Sequence, residues 1–203
     1  ILARIDRKRK FPVTTLLKCL ISKISQKYLD ECKIKKIDHD PRKIQGMSGE
    51  EILNYFYDSI EYKKNKYGWQ FKENLNFFKG KILNFALLES SSGKIVIQKG
   101  TKVTQRIIND IDKKRSSTIT IDESSLVGHY LSSDIIDTSN GKIFYEAGYE
   151  VDEEFIEFIK SKKITKLDIL RVDNIEIGSY IRSTLQLDKA RSREEALFEI
   201  FKI

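Results

Sequence analysis

The chain has 203 residues, 40% of them apolar, and a formal net charge of +7. This length is enough for one large domain or two small ones, each with its own core. No apolar run approaches the roughly 18 residues that a membrane-spanning helix needs, and the first residues are too charged for a signal peptide. The two cysteines are not closely spaced, which argues against a disulfide framework and indicates a reducing cytoplasm.

Positive charge is concentrated in the first quarter of the chain. Residues 1–46 hold 13 of the 37 Lys and Arg but only 5 of the 30 Asp and Glu. The densest part is a cationic cluster formed by Arg4, Arg7, Lys8, Arg9 and Lys10. Like charges this close repel one another, and the cost falls when an anion such as a phosphate backbone neutralises them. The cluster therefore predicts a contact with nucleic acid or an acidic protein, whereas the nearly neutral remainder gives no such reason.

Two helices are predicted in this first part of the chain, separated by a polar stretch. Pro12 and the apolar residues at helical spacing after it predict a short helix over 12–21. Residues 22–46 are Lys-rich, weakly periodic and interrupted by a proline, so we interpret them as an excursion that is partly helical or mobile. Ser48, with Glu51 three residues later, forms a capping box that starts the second helix.

Residues 60–71 change to aromatic and β-branched side chains around Asn65 and Gly68, which predicts a β-hairpin. Lysines interleave with these aromatics, a composition compatible with a stacking surface for single-stranded nucleic acid. The same alternation arises in any hairpin that turns its aromatics to the core and its lysines to water. That structural interpretation is favoured.

A pattern of glycines and apolar residues occurs twice, and every matched position is displaced by 48 residues. The first copy has Gly93, Lys94, Ile95, Gly100, Val103, Ile107, Ile108 and Ile111, and the second has Gly141, Lys142, Ile143, Gly148, Val151, Phe155, Ile156 and Ile159. The copies, 91–121 and 139–170, are each predicted to contain a turn, a strand, a turn, a helix and a strand, with Thr104 or Asp152 capping the helix. Two repeats are too few for a solenoid, so the predicted fold class is α+β with pseudo-symmetric halves.

No catalytic centre is indicated. Neither histidine lies in a motif that joins a nucleophile to a base, and no glycine-rich phosphate loop is present. Paired carboxylates fall in the first turns of predicted helices, where the helix dipole stabilises them, at Glu50–Glu51, Glu153–Glu154 and Glu194–Glu195. Cys19, Cys32 and His39 lack paired spacing and are interpreted as incidental rather than as a metal site. The sequence predicts no catalytic, cofactor-binding or metal-binding residues.

Two motifs at opposite ends of the chain carry a family resemblance. The first is RIDRKRKFPVTTLL at residues 4–17, and the second begins with VDNIEIGSYIRSTL at residues 172–185. Both are similar to the lobe of the bacterial DNA-directed RNA polymerase β subunit. The segment between them resembles the lineage-specific insertion of some β subunits, closest to the alphaproteobacterial version. The implied parts are lobe at 1–58, with 22–46 outside the family pattern, insertion at 59–171, and lobe again at 172–203.

The resemblance implies a part of a nucleotidyltransferase that has no catalytic residues of its own. In the family, the catalytic magnesium is held by the β′ subunit, so no cofactor is expected in this chain. The lobe would form a wall of the DNA cleft with the cationic cluster nearest to DNA, and the insertion would dock transcription factors. The expected partners are the β′, α and σ subunits, DNA and such factors, with no membrane, in the cytoplasm at the nucleoid.

Two other interpretations stay open at this point. The chain could be an autonomous basic nucleic-acid-binding module, or residues 59–171 could form a protein-interaction module. An autonomous module should close its core within 203 residues, whereas a lobe fragment should leave apolar surface open near Ile1 and the last helix. Because the chain starts without Met and stops within a helical pattern, we expect it to be a piece of a longer polypeptide.

Overall fold

The computed structural model describes residues 1–4, 9–72, 75–114, 118–172 and 177–202. In that part of the chain the helices are α1 (Val13–Cys19), α2 (Lys23–Lys35), α3 (Gly49–Phe56), α4 (Gln105–Lys114), α5 (Glu153–Ser161), α6 (Tyr180–Leu187) and α7 (Arg193–Phe201). The strands are β1 (Leu2–Arg4), β2 (Lys10–Pro12), β3 (Ser59–Asn65), β4 (Gly68–Lys72), β5 (Leu87–Glu89), β6 (Ile95–Ile97), β7 (Thr118–Ile121), β8 (Ile135–Ile136), β9 (Ile143–Tyr145) and β10 (Lys166–Leu170). The predicted α+β class is confirmed.

The chain divides into two compact units. The first unit contains Ile1–Asp58, Ser132–Gly148 and Val172–Ile203, and the second contains Ser59–Leu131 and Tyr149–Arg171. Residues close to both ends of the sequence thus belong to the first unit. The segment with β8 and β9 also belongs to it, although it lies within the stretch that resembles the insertion. The division into polymerase lobe and insertion stays a prediction.

The first unit is organised around α1, which packs against α6 and α7 from the other end of the sequence. At the C-terminal end of α1, the Cys19 carbonyl oxygen accepts a hydrogen bond of 3.1 Å from the Nε of Arg193, the first residue of α7. A cation is stabilising at the negative end of a helix dipole. The contact therefore ties the start of α7 to the end of α1.

A buried carboxylate joins α1 to the chain segment between α6 and α7. Asp188 is only 5% exposed, and its Oδ2 lies 2.7 Å from the Thr14 hydroxyl and 3.1 Å from the Lys18 ammonium. Its Oδ1 accepts from the Thr15 hydroxyl at 3.0 Å and from the Ala190 backbone N–H at 3.1 Å. A buried charge is tolerated only when it is paired and hydrogen-bonded. Three of these four donors lie in one helix, so α1 must stay docked against this segment.

The excursion at residues 22–46 is largely the helix α2 and returns to its starting point. Ile21 and Gly46 form an antiparallel bridge, and the Ser22 N–H donates to the Gln45 carbonyl at 3.0 Å. Gly46 is required at this closure, since an added Cβ would lie 1.9 Å from the Lys18 carbonyl oxygen. The excursion thus begins and ends at neighbouring residues within the first unit.

The second unit is built on a six-stranded sheet with the order β10-β3-β4-β7-β5-β6. The predicted hairpin is confirmed as β3 and β4, and the Asn65 side chain holds its turn by accepting from the Tyr67 and Gly68 N–H groups at 2.8 and 2.9 Å. One face of the sheet forms the core, with Tyr62, Trp69, Phe71, Ile119, Ile121, Leu167 and Ile169 all buried. Strands β3 and β10 pair so that Ser59 lies opposite Leu170. The segment 59–171 therefore begins and ends on neighbouring strands.

Lys64 is exposed, as predicted for the hairpin lysines, but it also makes contacts within the unit. It lies opposite Trp69 in the register of β3 and β4, on the aromatic face. Its ammonium is 5.7 Å from the Trp69 ring centroid and 3.0 Å from the Glu123 carboxylate. The stacking interpretation is correspondingly weakened, because the aromatic residues form the core and a lysine beside them pairs within the unit.

The local backbone contacts of the two sequence copies recur at the same displacement of 48 residues. The bond from the Gly80 N–H to the Val103 carbonyl recurs as the bond from the Gly128 N–H to the Val151 carbonyl. In the same way, the bond from the Glu89 N–H to the Lys94 carbonyl recurs as the bond from the Asp137 N–H to the Lys142 carbonyl. The order of turn, strand, turn, helix and strand is present in both copies. However, β5 and β6 belong to the large sheet, whereas β8 and β9 form a separate pair in the first unit. The pseudo-symmetric arrangement of the copies stays a prediction.

The predicted helix caps are present, with one difference in detail. The Thr104 hydroxyl accepts from the Ile107 N–H at 3.4 Å, and Asp152 accepts from the Phe155 N–H at 2.8 Å. A hydrogen bond from the Tyr149 hydroxyl, at 2.6 Å, holds the pKa of Asp152 below its ordinary value. The Ser48 capping box is complete. Ser192 and Glu195 have the spacing of another capping box at α7. The Ser192 hydroxyl accepts from the Glu195 N–H at 3.2 Å, but the Glu195 carboxylate accepts from the N–H of Arg191 at 2.7 Å instead of from the Ser192 N–H.

Removing the buried carboxylate should unfold the first unit locally. We expect Asp188→Ala to lower the free energy of unfolding by about 3–5 kcal/mol, because it leaves the charge of the buried Lys18 ammonium with the neutral Ala190 carbonyl in place of a carboxylate. Amide hydrogen exchange in α1 and α6 measures this loss. The matched control is Asp30→Ala, which removes an exposed carboxylate 3.8 Å from Lys33 and should cost less than about 0.5 kcal/mol. A similar small cost for both variants would contradict the structural role of Asp188.

Candidate nucleic-acid interface

Two residues of the cationic cluster, Arg4 and Lys10, lie on a small hairpin of the first unit. Strands β1 and β2 pair antiparallel, with Ala3 opposite Phe11 and Arg4 opposite Lys10. Successive side chains in a strand point to opposite faces. Phe11 is 7% exposed, so its face is turned to the core and the face that carries Arg4 and Lys10 is turned to solvent.

Arg4 and Lys10 form a cross-strand pair of like charges. Both side chains are exposed, and directly opposite like charges destabilise an antiparallel pair. This arrangement costs least when an anion binds both cations. The hairpin, defined here as the cationic hairpin (Leu2–Arg4 and Lys10–Pro12), therefore has the geometry of an anion-binding edge.

Arg9 has a structural contact in addition to its charge. Its Nη1 donates to the Lys202 backbone carbonyl at 3.2 Å. This carbonyl follows the last turn of α7, where a positive charge is stabilised by the helix dipole. Arg9 thus fastens the cationic hairpin to the end of α7 and is less available than Arg4 or Lys10 for an external anion.

The other two predicted residues, Arg7 and Lys8, lie outside the described residues. The structure brings Arg4 and Lys10 together on one exposed face and gives Arg9 a contact within the unit. The role of all five cations in binding nucleic acid stays a prediction. Sequence reasoning missed the buried pair of Lys18 and Asp188, because nothing in the spacing of two residues so far apart indicates that they meet.

No arrangement for catalysis or metal binding is found in the described part of the chain. Among those residues, no group of three or more His, Cys, Asp or Glu side chains is placed to hold a metal ion. Cys19 is half-buried, and burial raises the pKa of its thiol. Burial lowers the pKa of His129, whose Nδ1 lies 3.2 Å from the Leu126 carbonyl oxygen. Both groups are therefore in their neutral forms near pH 7 and serve the packing.

The longest of the described helices, α2, has 13 residues. None of the described helices is long and apolar enough to cross a bilayer.

The paired carboxylates at 50–51, 153–154 and 194–195 all lie in the first turns of helices, as predicted. They stabilise the helix N-termini.

Comparison with known proteins finds relatives along almost the whole chain. It is 42% identical over 201 residues to the DNA-directed RNA polymerase subunit beta of Brucella canis, and equally to that of Brucella melitensis. It is 34% identical over 201 residues to the corresponding subunit of Rhizobium etli. Each match covers 99% of this chain but 13% of the relative. No protein-family model matches the chain.

Identity at this level over nearly the whole chain reflects common ancestry. The α+β chain is therefore related to one part of a much longer class of proteins. It is homologous to one segment of the β subunit of bacterial DNA-directed RNA polymerase, with alphaproteobacterial relatives. The resemblance carried by the two end motifs is thereby confirmed.

Reversing one charge of the cross-strand pair should make the cationic hairpin more stable. Lys10→Glu places a carboxylate opposite Arg4, so we expect a gain of roughly 0.2–1 kcal/mol in hairpin stability. The gain should shrink as salt screens the exposed pair. Hydrogen exchange of the Ala3 and Phe11 amides at low and high salt measures it. Lys10→Gln should give a smaller gain, and a loss of protection in Lys10→Glu would contradict the described pairing.

Proposed function

We propose that this chain works as a segment of the β subunit of DNA-directed RNA polymerase and contributes to DNA-templated transcription. The observation that carries the proposal is the 42% identity to β subunits over 201 residues. In this proposal residues 1–58 and 172–203 are the lobe and residues 59–171 are the insertion. The lobe forms a wall of the DNA cleft, and the insertion docks transcription factors.

The cationic hairpin is the proposed DNA-facing part of the lobe. Its support is the exposed pair of Arg4 and Lys10, which repel one another unless an anion lies between them. A phosphate backbone supplies that anion at a regular spacing. Arg7 and Lys8 belong to the same proposed surface, and Arg9 holds it against α7 through the Lys202 carbonyl.

Open apolar surface on the first unit supports a role inside a larger assembly. The exposed side chains on α1 and α7, and after α1, include Leu16, Leu20, Leu197, Phe198 and Phe201, with exposed fractions from 43% to 86%. Monomeric proteins rarely leave large apolar patches open to water. In the proposal this surface packs against other parts of the polymerase. An autonomous nucleic-acid-binding module is less consistent with it.

The proposed segment supplies no catalytic group. The nucleotidyl transfer of the whole enzyme, and the magnesium ion that it uses, are assigned to the β′ subunit. The proposed partners are β′, α, σ, DNA and transcription factors that dock on the insertion, without a membrane. The proposed location is the cytoplasm, at the nucleoid.

A segment exchange tests the proposal directly. We expect a Brucella β subunit whose homologous segment is replaced by this chain to assemble into a polymerase that transcribes DNA, because the flanks close as one unit. The measurement is subunit assembly by gel filtration, followed by RNA synthesis in vitro.

The matched control for the exchange is the Brucella segment removed and reinserted in the same way. The isolated 203-residue chain, given magnesium and nucleoside triphosphates, should synthesise no RNA. Failure of the exchanged subunit to assemble, while the control assembles, would refute the assignment of this chain to the β subunit.

Charge reversal on the cationic hairpin should weaken DNA binding by that polymerase. In Arg4→Glu/Lys10→Glu we expect the slope of log K against log salt to become less steep by about 0.9 for each lost phosphate contact. Filter binding between low and moderate salt measures the slope. The control is Lys23→Glu/Lys27→Glu, which reverses two exposed cations of α2. Equal slopes for the parent and the Arg4/Lys10 variant would assign the hairpin a purely structural role.

A further inference from the structure

A groove opens in the second unit beside strand β6. Its volume is about 250 Å³, and its apolar lining includes Leu75, Leu87, Ile95, Val96, Ile111 and Ile119. A cavity of roughly 150 Å³ lined by apolar side chains is enough to hold a benzene ring. This groove is therefore large enough for one bulky aromatic or aliphatic side chain.

The strand that borders the groove is at the edge of the sheet. β6 pairs with β5 on one side and is the last strand in the sheet order. Ile95 and Val96 are 60% and 39% exposed, and both line the groove. An edge strand presents backbone N–H and C=O groups that can pair with another extended chain. Pairing sites and a side-chain cavity thus lie next to each other.

The two sequence copies differ in burial at the helix position that borders the groove. Ile111 of α4 lines the groove and is half-buried. Its counterpart 48 residues later, Ile159 of α5, is completely buried. Two equivalent helix positions in the same unit therefore differ, one being fully packed and the other bordering an unfilled cavity.

The charges around β6 specify the partner further. Lys94 directly precedes the strand and lines the groove, and Lys99 follows two residues after the strand ends. Both lysines are exposed. The lining also holds one acidic side chain, Glu89, which accepts a hydrogen bond from the Ser92 hydroxyl, so that the two lysines still outnumber the acidic groups of the lining. Positive charge at both ends of β6 would complement a partner peptide in which acidic residues flank a short apolar stretch.

We propose that β6 binds an extended peptide segment of a partner protein by β-strand addition. The segment pairs with the β6 backbone, places one bulky apolar side chain in the groove, and presents acidic residues to Lys94 and Lys99. A nucleic acid strand fits less well, because most of the lining is aliphatic. The inference deepens the factor-docking part of the proposed function, and it names the chemistry of the docked segment.

The test uses the complete 203-residue chain and a synthetic peptide. The probe is the N-acetylated, C-amidated peptide Asp-Val-Trp-Val-Asp, titrated into ¹⁵N-labelled protein and followed by NMR. We expect saturable shifts of the amides of Ile95, Val96 and Ile97. The control peptide Asp-Val-Ala-Val-Asp should bind about tenfold more weakly, because it leaves the groove unfilled.

Three protein variants separate the features of the site. Ile95→Pro removes a backbone N–H that alternates away from β5, since the Lys94 carbonyl before it bonds to β5. Ile111→Trp fills the groove, and Lys94→Glu/Lys99→Glu reverses the flanking charges. We expect each to weaken binding about tenfold. Ile111→Trp should keep or raise the thermal stability, so that its loss of binding is not a loss of folding. The control Lys142→Glu changes the lysine 48 residues after Lys94 and should bind like the parent.

The outcomes decide the inference independently of the polymerase assignment. Absence of saturable shifts at β6 up to millimolar peptide would overturn it, and so would binding that all three variants leave unchanged. Stronger shifts at β6 with a single-stranded oligonucleotide than with the peptide would also overturn it. The segment exchange into a β subunit tests the polymerase role with a different measurement, so failure of peptide binding leaves that role intact.

Discussion

The buried carboxylate of Asp188 is the interaction on which the first unit depends. Its two oxygens accept from Thr14, Thr15, Lys18 and the Ala190 N–H, and each missing donor would leave buried charge unsatisfied. The three side-chain donors lie 170 to 174 residues away along the sequence. The fold must therefore bring both ends of the chain together before this charge can be buried.

Two long segments of the chain begin and end at adjacent residues. The excursion at 22–46 leaves and returns through the bridge between Ile21 and Gly46. The segment 59–171 leaves and returns on β3 and β10, where Ser59 lies opposite Leu170. Segments with adjacent ends can be long without separating the elements that they interrupt, because loop closure costs little once the ends are fixed. The cationic hairpin lies beside α1 because β2 ends at Pro12 and α1 begins at Val13.

Local features of the fold could be predicted from the sequence. The Ser48 capping box, the Asp152 cap and the hairpin around Asn65 follow from interactions within a few residues, and all are present. The recurring glycines also indicated the paired turns correctly, since Gly93 and Gly141 have φ values of 70° and 71°. A positive φ is a local property that glycine satisfies without strain.

Non-local features could not be predicted in this way. The insertion of β7 between β4 and β5, and the membership of β8 and β9 in the first unit, depend on three-dimensional packing. At the candidate site, the spacing of Arg4 and Lys10 indicated charge density but not that the two residues face each other. The contact of Arg9 with the Lys202 carbonyl could not be predicted from the sequence either, because it joins residues 193 positions apart. Periodicity predicts which face of an element is buried, but not which distant element covers it.

The most direct test of this account is a double-mutant cycle on Lys18 and Asp188. Lys18→Met, Asp188→Leu and the double variant are compared by hydrogen exchange of the α1 amides, which measures local unfolding free energies. If the pair joins the two ends of the chain, the double variant should be more stable than the sum of the single effects by about 1–3 kcal/mol. Effects that add to within about 0.3–0.5 kcal/mol would show that the two residues do not interact, and would contradict the account.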